Sequence, residues 1–541
     1  MRPGAVTLEP GSLPALLAAA PIPIPAPAEA SASAEGAVSG GPEAAGSGQS
    51  PLGRARPELE VLFGEAERAR HDVGRSLELA TRVARRIPRP GGGETALYLE
   101  TLATLAAADV TVARVVEPHV DAAMILAECP DAVDLEAIGA DRESTWGVFA
   151  AEGSGVRLTA TPDADGCLLE GTKPWCSLAG RLTHALVTAH VDPDLPDDAS
   201  AHRGGVRVGG GRRLFAVDLR QGGVVAHEEQ WVARGFPSVP SGPTDFERVR
   251  AVPVGETGWY LHRPGFEWGG IGVAACWFGG AVGVARRVVE AAVTRGDDIA
   301  LLHAGRAALA IETAASALAA AARAVDARAA SALASAAHAL DARAAADRHA
   351  GGAGDVGVGG LGRGDGADEG AREAIGVVAH TQVGRGGEED ALLAQVARSI
   401  VRRAAEDVLR EAAHALGPAP LALDADYAAR VADLELYLRQ DHGTRDEARV
   451  GRQLAALAAT ADTAPAAAPT DAAAGAGAPA DPPAAATARS ATSAGNGAAR
   501  ATGALGALGA HGSPGSTDAP ADDARADDSL DATDAREGSS A

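Results

Sequence analysis

Residues 169–180 read LEGTKPWCSLAG, and the apolar run Leu186-Val187-Thr188-Ala189 follows a few residues later. Only 3% of this 541-residue chain is aromatic, so a Lys-Pro-Trp-Cys-Ser turn between two strand-like segments is unusual here. A Trp beside a small hydroxyl residue has two readings. It either plugs a sheet core or forms the flat wall of a ligand site. Upstream, GVRLTATPDADGCLLEGTKPW predicts two short strands about the turn Pro162-Asp163-Ala164-Asp165-Gly166. Downstream, ALVTAHV, RLFAVDL and GGVVAHE continue in the same alternating, β-branched style. The stretch 146–258 therefore reads as a β-domain.

The sequence on either side is helical. ALYLETLATLAAADVTVARVVEPHVDAAMIL places apolar residues three and four apart, within a helical block over 57–145. Pro118 is expected to break it into separate helices. From 259 to 455 the apolar, Ala-rich runs return as a helical bundle, interrupted by a Gly-rich loop near 349–388. Residues 1–56 and 456–541 are Ala, Pro, Gly and Ser with few large apolar side chains. The second of these ends in acidic runs, and both are expected to be disordered tails. The fold class is α+β: helices, then sheet, then helices.

Charge and cysteine content narrow the function. The formal net charge is −24, which disfavours nucleic acid and anionic membranes as partners. The four cysteines (Cys129, Cys167, Cys176, Cys276) form no CxxC pair, and no HExxH helix occurs, so no metal site is expected. Reduced thiols in a cytoplasmic protein are the expectation. The N-terminus has a Pro-broken apolar run unlike a signal peptide. The longest apolar run, 269–285, is Gly-rich and short of a bilayer span, so a buried helix is expected there. Its GGIG string lacks a complete dinucleotide-binding pattern.

The order of blocks and several strings resemble the acyl-CoA dehydrogenase family over roughly 80–455. That resemblance implies an N-terminal helical domain, a middle β-domain and a C-terminal four-helix bundle. It also implies FAD between the last two, and a homodimer or homotetramer. Gly171, Thr172, Lys173, Trp175 and Ser177 match the family's Gly-Thr-Lys, Trp and hydroxyl pattern. The resemblance makes Trp175 a wall of the flavin ring and Ser177 a donor to its N5 edge. RGFPSVPSGPTDFERVRAVPVG (234–255) is similar to the closing β-segment, and GVAACWFGGAVGVARRVVEAAVTR (272–295) to the first long bundle helix. Arg295 stands where the family binds the flavin pyrophosphate, although Asp297 and Asp298 follow it, and a solvated helix-end Arg is the other reading. Gly417, after His414, stands at the family's Gly-Gly turn near the adenosine, with Pro418 in second place.

The resemblance implies oxidation of an acyl thioester such as an acyl-CoA at a CH–CH bond, with a separate electron acceptor. That reaction needs a carboxylate at the substrate α-carbon. His442 stands where the family has its Glu, and Val273 occupies the alternative position. Asp441 and Glu267 are adjacent, but one step along a helix turns a side chain by about 100°. The loop FAAEGSGV offers Glu152, Gly153 and Ser154 but lacks the family's Thr and Pro. His442 then has three readings: the base itself, a group serving a flavin monooxygenase of the same fold, or a surface histidine. The alternatives to dehydrogenation are such a monooxygenase, or a relative that has lost its flavin.

Overall fold

The computed structural model describes residues 4–8, 17, 56–163, 166–191, 211–263, 265–351 and 366–462. These lie within one compact unit. Most of the two expected tails, and residues 352–365 of the expected Gly-rich loop, lie outside the described residues.

Four helices come first: α1 (Pro57–Ala69), α2 (Val73–Ala84), α3 (Thr95–Ala108) and α4 (Val110–Glu128). Asp72 caps α2 by accepting from Arg75 N at 3.0 Å. The break expected at Pro118 falls at Asp109 instead. Asp109 ends α3 and caps α4, accepting from Val112 N at 3.0 Å, while Pro118 lies inside α4. A mid-helix Pro costs one backbone bond and some strain, and burial of Val112, Val115, Val116 and Val120 outweighs it here. The C-terminus of α3 is closed by a guanidinium. Half-buried Arg430 donates to the carbonyls of Ala106, Ala107 and Ala108 at 3.2, 3.0 and 2.6 Å.

A short N-terminal stretch within the expected tail is ordered against α3. Val6 N donates to Thr104 Oγ1 at 3.0 Å and Leu8 N to Glu100 Oε1 at 2.8 Å, and both side chains are buried. The bulk composition of residues 1–56 conceals these few apolar anchors.

Seven strands follow: β1 (Trp146–Phe149), β2 (Leu158–Asp163), β3 (Gly166–Lys173), β4 (His184–Val191), β5 (Arg212–Asp218), β6 (Val224–Ala226) and β7 (Thr244–Val254). β2 and β3 form the antiparallel pair read from the sequence, in register Leu158 to Gly171. β3 pairs with β7, β7 with β5, and β5 with β4, and a short parallel pairing of β4 with β2 closes the circuit. The closed sheet leaves the β3–β4 turn, with Trp175 and Ser177, at one rim.

The chain then turns through α5 (Trp259–His262) into α6 (Gly265–Arg295), α7 (Asp298–Gly351) and α8 (Gly366–Leu416). It ends with α9 (Ala419–Leu423), α10 (Ala425–Tyr437) and α11 (Thr444–Asp462). α8 thus begins inside the segment expected as a Gly-rich loop, and α11 extends into the expected C-terminal tail. The residues 268–295 of α6 and 298–339 of α7 are long and apolar enough to cross a membrane, but the most apolar window of α6 is 72% buried in protein. α6 packs against α3, α4, α7, α8 and α10. Its glycines permit this closeness: a Cβ on Gly279 would overlap the Ala103 carbonyl of α3. Asp433 of α10 joins the blocks, accepting from Thr111 Oγ1 of α4 at 2.6 Å and from Phe236 N before β7 at 2.5 Å.

Gly279→Ala is expected to destabilise the fold by about 1–3 kcal/mol through forced separation of α3 and α6. Gly305 of α7 is exposed, with open space around it. Gly305→Ala is expected to stabilise by about 0.5–1 kcal/mol. Urea unfolding of the two variants checks the pair.

Candidate functional site

The turn after β3 is held on both sides. Lys173 is buried, and its Nζ donates to Glu152 Oε1 at 2.8 Å and Thr188 Oγ1 at 2.9 Å. Burial pushes the Lys173 pKa down, against the opposing pull of Glu152. Cys176 N and Leu178 N donate to the carbonyls of Gly242 and Pro240 at 3.0 and 2.8 Å, binding the turn to the segment before β7. Between these anchors Trp175 adopts φ +61° and is 60% exposed. Leu178 and Phe236 also have positive φ, at +59° and +54°. Such backbone costs energy in non-glycine residues and concentrates at functional sites.

Ser177 leads inward. Its Oγ receives a hydrogen bond from Arg114 Nη2 of α4 at 2.7 Å and shares one with Ser241 Oγ at 2.8 Å. The Arg114 guanidinium also lies 5.7 Å from the centre of the Tyr437 ring, and that ring meets Phe236 and Trp277 edge-on. From Arg114, one face of α4 carries Glu117, Asp121 and Glu128 at helical spacing. Arg114 Nη1 is 3.9 Å from Glu117 Oε2. Burial pushes the Glu117 carboxyl up to about 7, against the pull of Arg114, and also raises Asp121 against the pull of Arg263. Tyr98, Cys276 and Tyr437 stand opposite, all buried and all raised by that burial. The Tyr437 hydroxyl is 1% exposed as a residue, lies beside Glu117 and Cys276, and has no hydrogen-bond partner of good geometry.

At the far end of this face is a cavity of about 280 Å³, lined among others by Tyr98, Asp121, Met124, Glu128, Arg263 and Trp268. Arg263 donates to Glu128 Oε2 at 2.5 Å and lies 3.7 Å from Asp121. Its Nε and the Trp268 Nε1 are buried with no hydrogen-bond partner among the described residues. The glycines of GFEWGGIG make the room: a Cβ on Gly269 would press on Asp121, one on Gly265 would overlap Glu128, and one on Gly272 would meet the Tyr98 hydroxyl at 2.7 Å.

The residues singled out from sequence fall in three places. Trp175 and Ser177 share the rim turn. Arg295 and Gly417 meet at the end of the bundle, where Arg295 Nη1 donates to Ala415 O at 2.9 Å and Nε to Asp297 at 2.9 Å. Gly417 has φ +65° and its N–H bonds back to Ala413 O, the arrangement of a glycine helix end. His442 is 69% exposed; its N–H and ring lie beside Asp446, so it is turned outward in this chain. Adjacent Asp441 is buried against Arg402 at 3.0 Å, Val273 is partly buried beside the core, Glu152 is bound to Lys173, and the Glu267 side chain lies outside the described residues. Sequence reading missed Arg114, Glu117, Asp121 and Tyr437. The available signal was a row of ionisable residues at spacings of 3, 4 and 7 on a helix otherwise apolar enough to be buried.

No protein-family profile and no curated protein matches the sequence. Solved structures do match. Dibenzothiophene monooxygenase TdsC from Paenibacillus sp. A11-2 aligns at TM-score 0.51 and 16% identity, over 74% of this chain and 97% of that one. Its complex with FMN and indole aligns at TM-score 0.51 and 15% identity, over 74% and 97%. At these identities the likeness is one of fold: the chain has the acyl-CoA dehydrogenase-like fold of such enzymes.

Trp175→Ala is expected to cost under about 1 kcal/mol of stability, as for other exposed positions. Trp277 is fully buried in α6, and Trp277→Ala is expected to cost about 3–5 kcal/mol. Equal losses in urea unfolding would make Trp175 a core plug.

Proposed function

We propose that this chain is a flavin-dependent monooxygenase that takes reduced FMN from a separate reductase and oxygenates a small, partly aromatic substrate. The observation that carries the reading is the continuous line from the exposed Trp175 and the Ser177–Arg114 pair to the buried Tyr437 hydroxyl beside Glu117 and the cavity beyond it. TdsC, which shares the fold, binds FMN and indole, and this supports FMN over the FAD expected from the sequence. Oxygenation also removes the need for a carboxylate at position 442.

The residues present fit a flavin. Trp175 would cover one face of its ring, and Ser177, set by Arg114 and Ser241, would hydrogen-bond its edge. Arg295 is already paired with Asp297, and Asp298 adds a second negative charge beside it, which disfavours a pyrophosphate there. When bound, reduced flavin supplies two electrons to dioxygen, so that one oxygen atom enters the substrate and the other leaves as water. The protein's part is to exclude water through Phe236, Trp277 and Tyr437, to hold the substrate in the cavity, and to manage protons. Asp121 would receive a substrate N–H or O–H, and the Trp268 N–H would meet an acceptor. Exposed Ile299, Leu302 and Leu309 on α7 support assembly with a second copy, as the resemblance implied.

Anaerobic titration with reduced FMN is expected to give saturable binding, weakened about tenfold by Trp175→Ala, which is roughly 1.4 kcal/mol. With a flavin reductase and indole as probe, the product is expected to carry one oxygen atom from labelled dioxygen. Absence of reduced-FMN binding overturns the reading. Reduction of bound FAD by an acyl-CoA without dioxygen would establish the dehydrogenase instead.

A further inference from the structure

We propose that Glu117 is the proton donor of this site, acting through the Tyr437 hydroxyl. The inference rests on the monooxygenase reading for its reaction, but on geometry for its residue. Glu117 sits midway along α4 between Arg114, which holds Ser177, and Asp121, which lines the cavity. The charged and titratable groups that act on it come from α3, α4, α5, α6, α8 and α10. They are Arg114 and Asp121 on α4, Tyr98 on α3, Tyr260 on α5, Cys276 on α6, Arg398 on α8 and Tyr437 on α10. Arg114 is shared between Ser177 and Glu117 at the longer distance of 3.9 Å, so the carboxyl is not locked in a tight ion pair. The Tyr437 hydroxyl, buried and without a partner of good geometry, can receive a proton from Glu117 while releasing its own.

Oxygenation with the anionic reduced flavin consumes one proton. Reduced flavin anion, dioxygen, substrate and one proton give oxidised flavin, oxygenated substrate and one water. The flavin is oxidised by two electrons and dioxygen is reduced. The O–O bond breaks, one oxygen forms its bond to the substrate, and the other leaves with two hydrogens. In our assignment one of these comes from Glu117: its O–H bond breaks, the Tyr437 hydroxyl passes a proton on, and the Glu117 carboxylate is left beside Arg114. Reprotonation proceeds along α4 from Asp121 and the cavity. Burial that keeps this carboxyl protonated to about pH 7 suits a donor at neutrality.

The test begins with flavin-free protein. An infrared difference spectrum taken below and well above neutrality is expected to show a protonated carboxyl band that titrates near 7 and vanishes in Glu117→Gln. The stability curve gives the same readout. The folded pKa is raised from 4.5 to about 7, so the unfolded chain loses this proton first. Stability is therefore fully present below 4.5, falls as pH rises to about 7 and is flat above; Glu117→Gln is expected to lose this slope. In the reaction, Glu117→Gln and Tyr437→Phe, which keeps the ring, are each expected to bind reduced FMN as wild type does and to form oxygenated product about 100-fold more slowly, with hydrogen peroxide released instead. The rate of Glu117→Gln is expected to lose the pH dependence near 7. A carboxyl band titrating near 7 that is retained in Glu117→Gln, or is absent from wild type, overturns the assignment whatever the activity. So does a wild-type rate and pH profile in both variants. A wild-type protein that shows the band but binds no reduced flavin overturns the reaction assigned to Glu117 together with the monooxygenase reading.

Discussion

Close contact between α6 and α3 governs the rest of the molecule. At Gly279 the two backbones approach so nearly that a single methyl group has no room beside Ala103. Gly283 continues the seam by admitting the Arg430 guanidinium, which in turn caps α3. With the helices fixed at this spacing, any polar side chain that α3 or α4 points towards α6 is sealed from water. Tyr98 and Glu117 are such side chains, while Asp121, which lines the cavity, is half-buried. Further along α6, Gly265, Gly269 and Gly272 leave space beside them. The same residue type therefore closes the middle of the helix and opens its beginning, and the cavity lies where closure gives way to opening.

Burying charge is costly unless partners take up every bond. The molecule contains both outcomes. Arg430 has three carbonyls for its guanidinium, and Asp433 has a hydroxyl and a backbone N–H for its two oxygens. Those groups are structural joints, and removing either would strand the other side of a bond. Tyr437 Oη, Trp268 Nε1 and Arg263 Nε have no hydrogen bond of good geometry among the described residues. Three donors left open around one row of carboxyls add no stability to the fold. Their arrangement is what a site that completes its bonds with a ligand requires.

The sheet was legible because its signals are local. Alternation and turn residues marked β2, β3, β4 and β5, and the turn within 169–180 falls between β3 and β4. Helical blocks were legible from periodicity, but not the Asp109 break, because an Asp at a cap looks like any surface Asp until its acceptor role is seen. Pro118 misled for the opposite reason: its local penalty is real, and tertiary burial outweighs it. His442 was chosen by position in a resemblance, and position does not reveal exposure. Glu117 was invisible because a lone Glu on a helix is ordinarily solvated. Only the packing of α6, α8 and α10 over that face turns it into a buried acid.

That exchange of positions bears on the chemistry. Dehydrogenation requires a carboxylate that is ionised and poised at a carbon, so a raised pKa with no nearby substrate carbon is of little use to it. Oxygenation requires the reverse, an acid still protonated at neutral pH and screened from bulk water. At the C-terminal segment the chain presents an outward imidazole and a carboxylate tied to Arg402. On α4 it presents a carboxyl that burial protonates and a phenol with an open hydroxyl. On the monooxygenase reading, the proton chemistry of this chain would be concentrated on the side of α4 that faces α6, within reach of the Ser177 turn through Arg114. On that reading the acid stands on α4 and not at position 442, within the same frame of sheet and helices.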